Sequence, residues 1–530
     1  MVSIPLTIGT CGHRDLAAGS TDVLAGRVRS AIEGWQRQAP HTPIQVLSAL
    51  AEGSDCIVAR AAVEAGAELI VPLPLPLEEY RKDFHSASSL REFDALIPRA
   101  KSVYVVPGPA LSRPECYAVL GTHIVQRCDV LVALWDGDPS DQPGGTAEVV
   151  REKLETDDGP VLQIITPRDR RPRPDSVFTA RMIDSELGRS FDATIHAIDQ
   201  FNQEAGELAG EFANDQLALP PGHEADDETV DGVRLFVAAD ALSRRSQSRS
   251  TEALVVLLSL VFLAFVAYDV YDDHLAGRSL ALAAYLACVA AAYGVYVIAK
   301  RSRLQEQHLD YRALAEALRV QHYWRIAGIP DAVSGHYRLQ QHDELAWIAN
   351  ALRRFGVSPP TRIDCDGAVQ FVCKHWIEQQ RDYFSQAIER ISERLERLEK
   401  WTDVLVGTGI VVAAATLAVR LFAPHAFVEA WLDEHPLDAL FAWVISLPPV
   451  LAAFLHTYAE KEAMAVVKKR YLRAHGVYSR ALNRLRKSIA AGNGAASRNV
   501  IHDVGLAALD QNADWLALRR DRPIEVPHPA

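Results

Sequence analysis

Apolar residues follow two different patterns along this chain, and the pattern changes near residue 240. In residues 1–170, short apolar runs alternate with amphipathic segments, whereas the second half contains four long apolar stretches. Short apolar runs separated by segments of helical periodicity predict parallel strands joined by crossover helices. The long stretches predict membrane-spanning helices, because a helix needs roughly 20 apolar residues to cross the hydrocarbon core.

The first half contains six candidate strands, which are Ile4–Gly9, Ile44–Ser48, Glu68–Pro72, Ser102–Val106, Val130–Trp135 and Val161–Ile165. Segments with helical spacing lie between them, for example Ala25–Gln36 and Asp55–Ala65. This order predicts an α/β domain over residues 1–175, with a doubly wound, Rossmann-like parallel sheet. Such sheets bind ligands outside the carboxyl ends of their strands, at the point where the strand order reverses.

The apolar stretches of the second half form two close pairs, 253–271 with 279–299 and 404–422 with 439–459. Basic residues such as Arg244 and Lys300 flank the pairs, whereas acidic residues such as Asp272 and Glu434 lie in the hairpins. Because basic flanks stay in the cytoplasm, we expect four transmembrane helices in two hairpins, with both termini on the cytoplasmic side of the inner membrane. For the two shorter runs, a buried bundle in a soluble protein is the alternative.

Each pair is preceded and followed by a helical segment. This predicts two similar helix–span–span–helix units, over residues 233–330 and 375–490, joined by a connector at 331–374. Residues 176–232 are predicted to form a helix and an acidic linker, and 491–530 a C-terminal tail. Gly407 and Gly409 would allow close helix contacts in the third span. The helices that follow the spans are expected to carry the contacts of a homo-oligomer.

Composition narrows the possible partners. The chain has 530 residues, 49% of them hydrophobic, and a net charge of −13 without a basic domain, so nucleic acid is not an expected partner. The seven cysteines contain no C-x-x-C pair, which favours reduced thiols, and no metal site is expected. The N-terminus lacks the basic and apolar regions of a signal peptide, so the internal spans would direct insertion.

Glycine-containing polar turns follow three of the predicted strands, with the sequences Gly9-Thr10-Cys11-Gly12-His13-Arg14, Glu52-Gly53-Ser54-Asp55 and Asp136-Gly137-Asp138, the last followed by Gly144-Gly145-Thr146-Ala147-Glu148. Glycine lets backbone N–H groups approach a phosphate closely, and Arg14 can pair with it. Ser54 or Asp55 would cap the next helix. Three such turns at one edge of a sheet predict a site for a phosphorylated ligand.

Two interpretations of Glu52 and Glu148 stay open. Either carboxylate can cap the start of a helix and compensate its dipole, or it can hydrogen-bond the hydroxyls of a ribose or a base. Asp136 follows Trp135 at a strand end, which favours a role in the site. Tyr80, Asp83 and Phe84 either line the same crevice or lie on a solvated helix surface.

The strings GTCGHRDL, VLSALAEGSD, LPLPLEEYRKDF, VLVALWDG and PGGTAEVV resemble, in order, the motifs of the SLOG superfamily. That superfamily is related to the LOG-type nucleotide phosphoribohydrolases and to the DNA-processing protein DprA. The string YRALAEALRVQHYW, after a pair of spans, resembles the SLATT domain, a two-span effector module. Over residues 1–170 the resemblance implies a nucleotide-binding set, which is Gly9, Thr10, Gly12, His13, Arg14, Glu52, Gly53, Asp136, Gly144, Gly145, Thr146 and Glu148.

The resemblance implies a sensor-effector of bacterial antiviral defence, which binds a nucleotide-derived signal and then disrupts the membrane. No cofactor other than this nucleotide-type ligand is expected. The alternative is a membrane-tethered hydrolase of N-glycosidic or phosphate-ester bonds, with Glu148, Glu52 or His13 as acid or base. The hydrolase branch has a longer P-G-G-x-G-T-x-x-E loop, and its absence here disfavours hydrolysis. A small-solute transporter is disfavoured because the spans carry few polar residues.

Overall fold

The computed structural model describes residues 3–106, 112–139, 144–156, 159–169, 176–184, 191–208, 219–220, 227–273, 279–338, 346–353, 365–422 and 437–520. The chain forms two compact units. The sheet unit contains Met1–Ala239 and Leu314–Ile363, and the helical unit contains Asp240–Ala313 and Asp364–Ala530. Both units are therefore assembled from two separate parts of the chain, unlike the consecutive domains expected from the sequence.

A seven-stranded sheet forms the centre of the sheet unit in the described residues. Its strands are β1 (Leu6–Gly12), β2 (Ile44–Leu47), β3 (Glu68–Leu73), β4 (Ser102–Val105), β5 (Val130–Trp135), β6 (Val161–Ile165) and β7 (Ala180–Ile183). The order is β4-β3-β2-β1-β5-β6-β7, with β1 to β6 parallel and β7 antiparallel to β6. The predicted Rossmann-like α/β fold is thereby confirmed for the first half of the chain.

The helices of the first half are α1 (Thr21–Gln38), α2 (Ser54–Glu64), α3 (Leu77–Tyr80), α4 (Ala87–Leu96), α5 (Arg113–Arg127), α6 (Thr146–Glu155) and α7 (Phe191–Glu207). Helix α1 buries Leu24, Val28 and Ile32, which recur every four residues and pack into the core of the sheet. The strands contribute Ile8, Val46 and Val132 to the same core, so the sheet is covered as parallel sheets require.

Strand β1 continues three residues further than the sequence predicted. Gly9 to Gly12 pair with Leu131 to Leu134 of β5, so these residues form a strand and the turn begins at His13. A side chain at Gly9 would place its Cβ 2.7 Å from the Sγ atom of Cys128. Gly9 therefore serves the close packing of β1 against the end of α5, which a larger residue would prevent.

The remaining helices are α8 (Asp227–Asp273), α9 (Ser279–Arg301), α10 (Leu304–Ile326), α11 (Val333–Arg338), α12 (Ala346–Arg353), α13 (Cys365–Val372), α14 (Gln379–Phe422), α15 (Leu437–Lys461), α16 (Met464–Ala490) and α17 (Gly494–Arg520). A π-helical turn, Cys373–Glu378, connects α13 and α14. Helix α8 begins at Asp227, so the end of the predicted acidic linker is helical; residues 209–218 and 221–226 of that linker lie outside the described residues.

Helix α12 returns to the sheet unit after the first apolar hairpin. The ring of Trp347 lies 5.9 Å from that of Phe201 in α7. Arg353 is buried, and its Nη1 donates a hydrogen bond of 3.2 Å to the carbonyl oxygen of Cys128, just after α5. Residues predicted to be a connector therefore complete the core of the sheet unit.

Three helical stretches of the described chain are long and apolar enough to cross a membrane, at Thr229–Tyr271, Ser279–Ile326 and Gly367–Phe422. At most 17% of each apolar segment is buried, and Leu280 and Phe422 have exposed fractions of 81% and 85%. Exposed apolar surface of this extent is typical of lipid-facing helices. The structure therefore indicates a membrane protein.

The sequence predicted four spans, and the fourth, 439–459, is not among these three. It falls on α15, where the side chains of residues 437–442 lie outside the described part. The rest of α15 contains Pro448 and Pro449 and ends in Glu460 and Lys461, which lowers its hydropathy. The described part of the chain therefore contains three helices that are long and apolar enough to cross a membrane.

The helical unit packs α14 closely against α15. A Cβ atom at Gly409 would lie 3.1 Å from Cγ of Pro449, so this glycine allows the two helices to approach, as predicted. Gly407 faces open space and makes no such contact in the described residues. The rings of Phe262 and Phe454 meet edge to face, 5.7 Å apart, so the two apolar hairpins touch within this unit.

Candidate ligand-binding site

A cavity lies at the carboxyl end of β1, where the strand order reverses between β2 and β5. Its walls come from the end of β1 and the turn after it (Thr10, Cys11, Gly12, Arg14), the start of α2 and the residues before it (Ala49, Ala51, Asp55), Tyr80 of α3, the inner face of α5 (Tyr117, Leu120, Gly121, Ile124), and the start of α6 with its preceding loop (Gly144, Thr146, Val149). This is the position at which doubly wound sheets bind their ligands.

The cavity has a volume of about 90 Å³. That space fits a phosphate group or a sugar ring. The cavity is partly open, so a larger ligand such as a complete nucleotide would extend beyond it.

Arg14 places a cation in the cavity. Its guanidinium carbon lies 5.3 Å from the centroid of the Tyr117 ring. Burial alone would lower the pKa of Arg14, but its hydrogen bond with Tyr117 and the nearby Tyr80 and Asp55 raise that pKa overall. The Tyr117 hydroxyl in turn donates a 2.5 Å hydrogen bond to Asp83. Asp83 and Tyr117 therefore hold the charged Arg14 in place.

Gly53 allows the chain to pass close behind Arg14. It has a φ of +87°, and a Cβ atom there would lie 2.7 Å from the carbonyl oxygen of Arg14. Gly12 is equally constrained, since its Cβ would lie 2.4 Å from Cβ of Ser54. Both predicted glycines shape the site, but only Gly12 lines the cavity.

Asp55 is the carboxylic acid of the cavity in the described residues. Its side chain is buried, and this burial raises its pKa from 3.8 to about 7, although a backbone hydrogen bond with Ala51 and the charge of Arg14 act in the opposite direction. Gly53 precedes α2 as its cap residue, so Asp55 is not the cap that the sequence suggested. Close to neutral pH, Asp55 exchanges a proton and can act as donor or acceptor.

Tyr80 brings a second polar group to the same wall. Its side chain is 1% exposed, and its hydroxyl has no hydrogen-bond partner among the described residues. The ring packs against Phe84, Phe93 and Tyr117 at centroid distances of 5.6, 5.8 and 6.2 Å. Of the crevice candidates left open by the sequence, Tyr80 thus lines the cavity, while Asp83 and Phe84 support the residues that do.

The structure brings together five of the predicted ligand-binding residues in the cavity wall, namely Thr10, Gly12, Arg14, Gly144 and Thr146. Thr10 donates its hydroxyl hydrogen to Ser48 at 3.0 Å, which leaves oxygen lone pairs for a ligand. Thr146 is the first residue of α6, after the cap residue Gly145. Residues 140–143, which precede Gly144, lie outside the described part of the chain.

His13 and Asp136 form a separate ion-pair network beside the cavity. His13 Nε2 lies 2.9 Å from Asp136 Oδ1, and Arg168 lies 3.4 Å from Asp136 and 2.9 Å from Asp15. Burial would raise the pKa of Asp136, but the hydrogen bonds with His13 and Asp138 and the contact with Arg168 lower it overall. Burial of the His13 side chain lowers its pKa, although its hydrogen bond with Asp136 acts in the opposite direction. These side chains bind each other where β5 ends.

Glu52 and Glu148 form hydrogen bonds outside the cavity. Glu52 accepts hydrogen bonds from the backbone N–H of His85 at 3.3 Å and pairs with its Nδ1 at 3.1 Å. Glu148 accepts a 2.5 Å hydrogen bond from the N–H of Gly144. Neither carboxylate lines the cavity. Glu52 thus bonds the residue that precedes the cap of α4, and Glu148 the residue that precedes the cap of α6.

Tyr117 and Asp55 are two cavity residues whose roles went unrecognised from the sequence. Tyr117 was not singled out, although it follows the capping box at Ser112 and Glu115 that starts α5. Asp55 was recognised only as a helix cap. The spacing of Gly53 and Asp55 after a strand was visible, but the burial that changes the chemistry of Asp55 arises only in the folded protein.

Comparison with models of known protein families and with curated proteins finds no match. Within the part of the chain that the structure describes, no three His, Cys, Asp or Glu side chains are grouped to hold a metal ion.

Proposed function

We propose that this protein is a membrane-anchored sensor-effector whose sheet unit binds a nucleotide or nucleotide-derived signal. The observation that carries the proposal is the placement of Arg14 and the start of α6 in one cavity at the switch point of the sheet. Arg14 can pair with a phosphate, and the amino end of a helix attracts negative charge. The same chain carries three helices suited to a bilayer.

The response is proposed to act through the apolar helices. In this proposal 439–459 is a fourth span, both termini are cytoplasmic, and the protein is a homo-oligomer in the inner membrane. The resemblance to SLOG and SLATT domains supports membrane disruption in bacterial defence as the outcome. Ligand binding would have to favour one arrangement of the helices over another, and it can do so only by its difference in affinity for the two.

A nucleotide hydrolase is the second candidate function, and the raised pKa of Asp55 favours it. A carboxyl group with a pKa of about 7 inside a ligand cavity has the acidity that general acid–base catalysis uses. The three residues first considered for this chemistry, Glu148, Glu52 and His13, do not line the cavity. A hydrolase built on this site would therefore depend on Asp55.

Replacement of Arg14 tests the proposed site. In full-length protein reconstituted in nanodiscs, calorimetric titration with AMP should give saturable binding, and Arg14→Ala should weaken it by at least about tenfold, the usual cost of losing a charge-assisted hydrogen bond. Arg29→Ala is the matched control, because Arg29 pairs with Glu64 on the exposed surface of the same unit. Equal AMP affinity in Arg14→Ala and the wild type would contradict the proposal.

The same samples separate the two candidate functions. Chromatography of AMP after incubation would reveal adenine and ribose 5-phosphate if the protein hydrolyses the N-glycosidic bond, adenosine and phosphate if it hydrolyses the phosphate ester, and intact AMP if it is a sensor. Release of an encapsulated dye from proteoliposomes on addition of AMP tests the effector part. That release should be lost with Arg14→Ala and retained with Arg29→Ala.

A further inference from the structure

The Tyr80 hydroxyl is a buried polar group that the free protein leaves without a hydrogen bond. Its residue is 1% exposed, and none of the described residues provides a partner. A buried unpaired hydroxyl destabilises a fold by about 1–3 kcal/mol, so most such groups in proteins are satisfied. Because Tyr80 lines the cavity, a bound molecule can supply the missing partner.

Asp55 and Arg14 divide the cavity into two chemical environments. Arg14 only donates hydrogen bonds and carries a positive charge, so it suits a phosphate. Asp55 is buried and becomes negative when ionised, so it repels a phosphate and suits a group that donates a hydrogen bond. Tyr80 and Asp55 both lie in the wall of this cavity.

A sugar hydroxyl satisfies Tyr80 and Asp55 together. It can donate its hydrogen to the Asp55 carboxylate and accept the hydrogen of the Tyr80 hydroxyl with the same oxygen. Acidic side chains commonly bind ribose hydroxyls in sheets of this topology. The sequence offered Glu52 and Glu148 for such a role, but Glu52 is hydrogen-bonded to His85 and Glu148 to Gly144, and neither lines the cavity.

The geometry points to Tyr80 and Asp55 as the ribose-recognition pair of this cavity, with the ligand's phosphate on the Arg14 side. The ligand class is thus a ribose phosphate, free or as part of a nucleotide. This inference rests on the proposed function, because it assumes that the cavity binds a phosphorylated ligand. It goes beyond that function by assigning the sugar to Tyr80 and Asp55 and the phosphate to Arg14.

Tyr80→Phe tests the pair because it removes only the hydroxyl. Full-length protein in nanodiscs is titrated with ribose 5-phosphate and, separately, with inorganic phosphate. Tyr80→Phe should bind ribose 5-phosphate about tenfold more weakly and bind inorganic phosphate as the wild type does. Its thermal midpoint should stay the same or rise, since the substitution removes a buried group that lacks a partner.

Tyr104→Phe is the matched control. The Tyr104 hydroxyl lies 2.8 Å from Nε2 of His123 and does not line the cavity. Its removal breaks a hydrogen bond, so the thermal midpoint should fall while both affinities stay unchanged. The two substitutions thus change stability and binding in different ways, which separates ligand recognition from a structural role of the tyrosine.

Three results would overturn the inference, and they are distinguishable. If Tyr80→Phe binds ribose 5-phosphate like the wild type, or lowers the thermal midpoint as much as Tyr104→Phe, the pair is wrong and the phosphate site stands. If the wild type does not prefer ribose 5-phosphate to inorganic phosphate, the sugar assignment alone fails. If the wild type binds neither compound, the proposed function fails and the inference fails with it.

Discussion

The roles of some residues in the site can be predicted from the sequence, whereas the roles of others cannot. Arg14 and Gly12 were predictable because a strand, a glycine and a basic residue are adjacent in the chain, and their chemistry needs no distant partner. The role of Asp55 depends on its burial in the folded protein, and that of Asp136 on pairing with His13 and Arg168. No local pattern encodes these tertiary partners, so acidic residues were predicted less well than glycines.

Asp55 should make the stability of the sheet unit depend on pH. Its folded-state pKa, about 7, lies above the ordinary value of 3.8, so between these values the folded state binds more protons than the unfolded state. The free energy of unfolding should therefore fall as pH rises from about 4 to about 7, by at most about 4 kcal/mol, and stay constant above that range. Hydrogen exchange of β1 amides, corrected for intrinsic rates, measures this change.

Asp55→Asn should abolish that pH dependence, because the amide does not titrate. The control is Asp94→Asn, which alters an exposed ion pair with Arg81 and should leave the dependence as in the wild type. The same slope in Asp55→Asn and the wild type would show that Asp55 does not keep its proton on folding.

Helix α5 connects the cavity with the returning helix α12. Its inner face contributes Tyr117 and Ile124 to the cavity wall, and the carbonyl oxygen of Cys128, which follows it, accepts hydrogen bonds from Lys153 at 2.6 Å and from Arg353. Both cations are buried, and nearby Asp129 is buried with them. Their charges counteract the effect of burial, which raises the pKa of Asp129. This arrangement ties the cavity wall to residues beyond the first hairpin.

Arg353→Ala should destabilise the sheet unit strongly. The substitution leaves the buried Asp129 with less positive charge around it and removes a donor to Cys128, at a cost of about 3–5 kcal/mol. Arg151→Ala is the control, since its ion pair with Glu155 is exposed and has an N–O distance of 4.0 Å, and such pairs contribute about 0–1 kcal/mol. Denaturant unfolding measures both, and a similar small loss in each would contradict a buried structural role for Arg353.

The helices and strands that were easiest to predict are those with a clear pattern of apolar residues in their own sequence. Strands β1 to β6 were recognised because each contains a run of apolar residues, which is typical of parallel strands. Strand β7 was missed, since its four residues, ARMI, are mostly exposed and offer no apolar run. Helix α12 was taken for a connector because its apolar face packs on α7, far away in sequence, and nothing nearby indicates that contact.

At the scale of the whole molecule, the chain alternates between its two units. It passes from the sheet unit to the helical unit after Ala239, returns at Leu314 and leaves again after Ile363. The first two changes fall inside helices α8 and α10 and not in loops. A fragment of residues 1–240 would lack α12, so ligand binding has to be measured on the full chain. Composition predicted a soluble part and a membrane part, but not this alternation.

Flotation of proteoliposomes with a radiolabelled ligand tests directly whether this membrane-bound chain binds a phosphorylated ligand. Full-length protein is reconstituted, mixed with labelled AMP and centrifuged in a density gradient. We expect protein and label to rise together with the vesicles for the wild type and Arg29→Ala, and protein without label for Arg14→Ala. Protein left in the dense aqueous fraction, or equal label with Arg14→Ala and the wild type, would contradict the account.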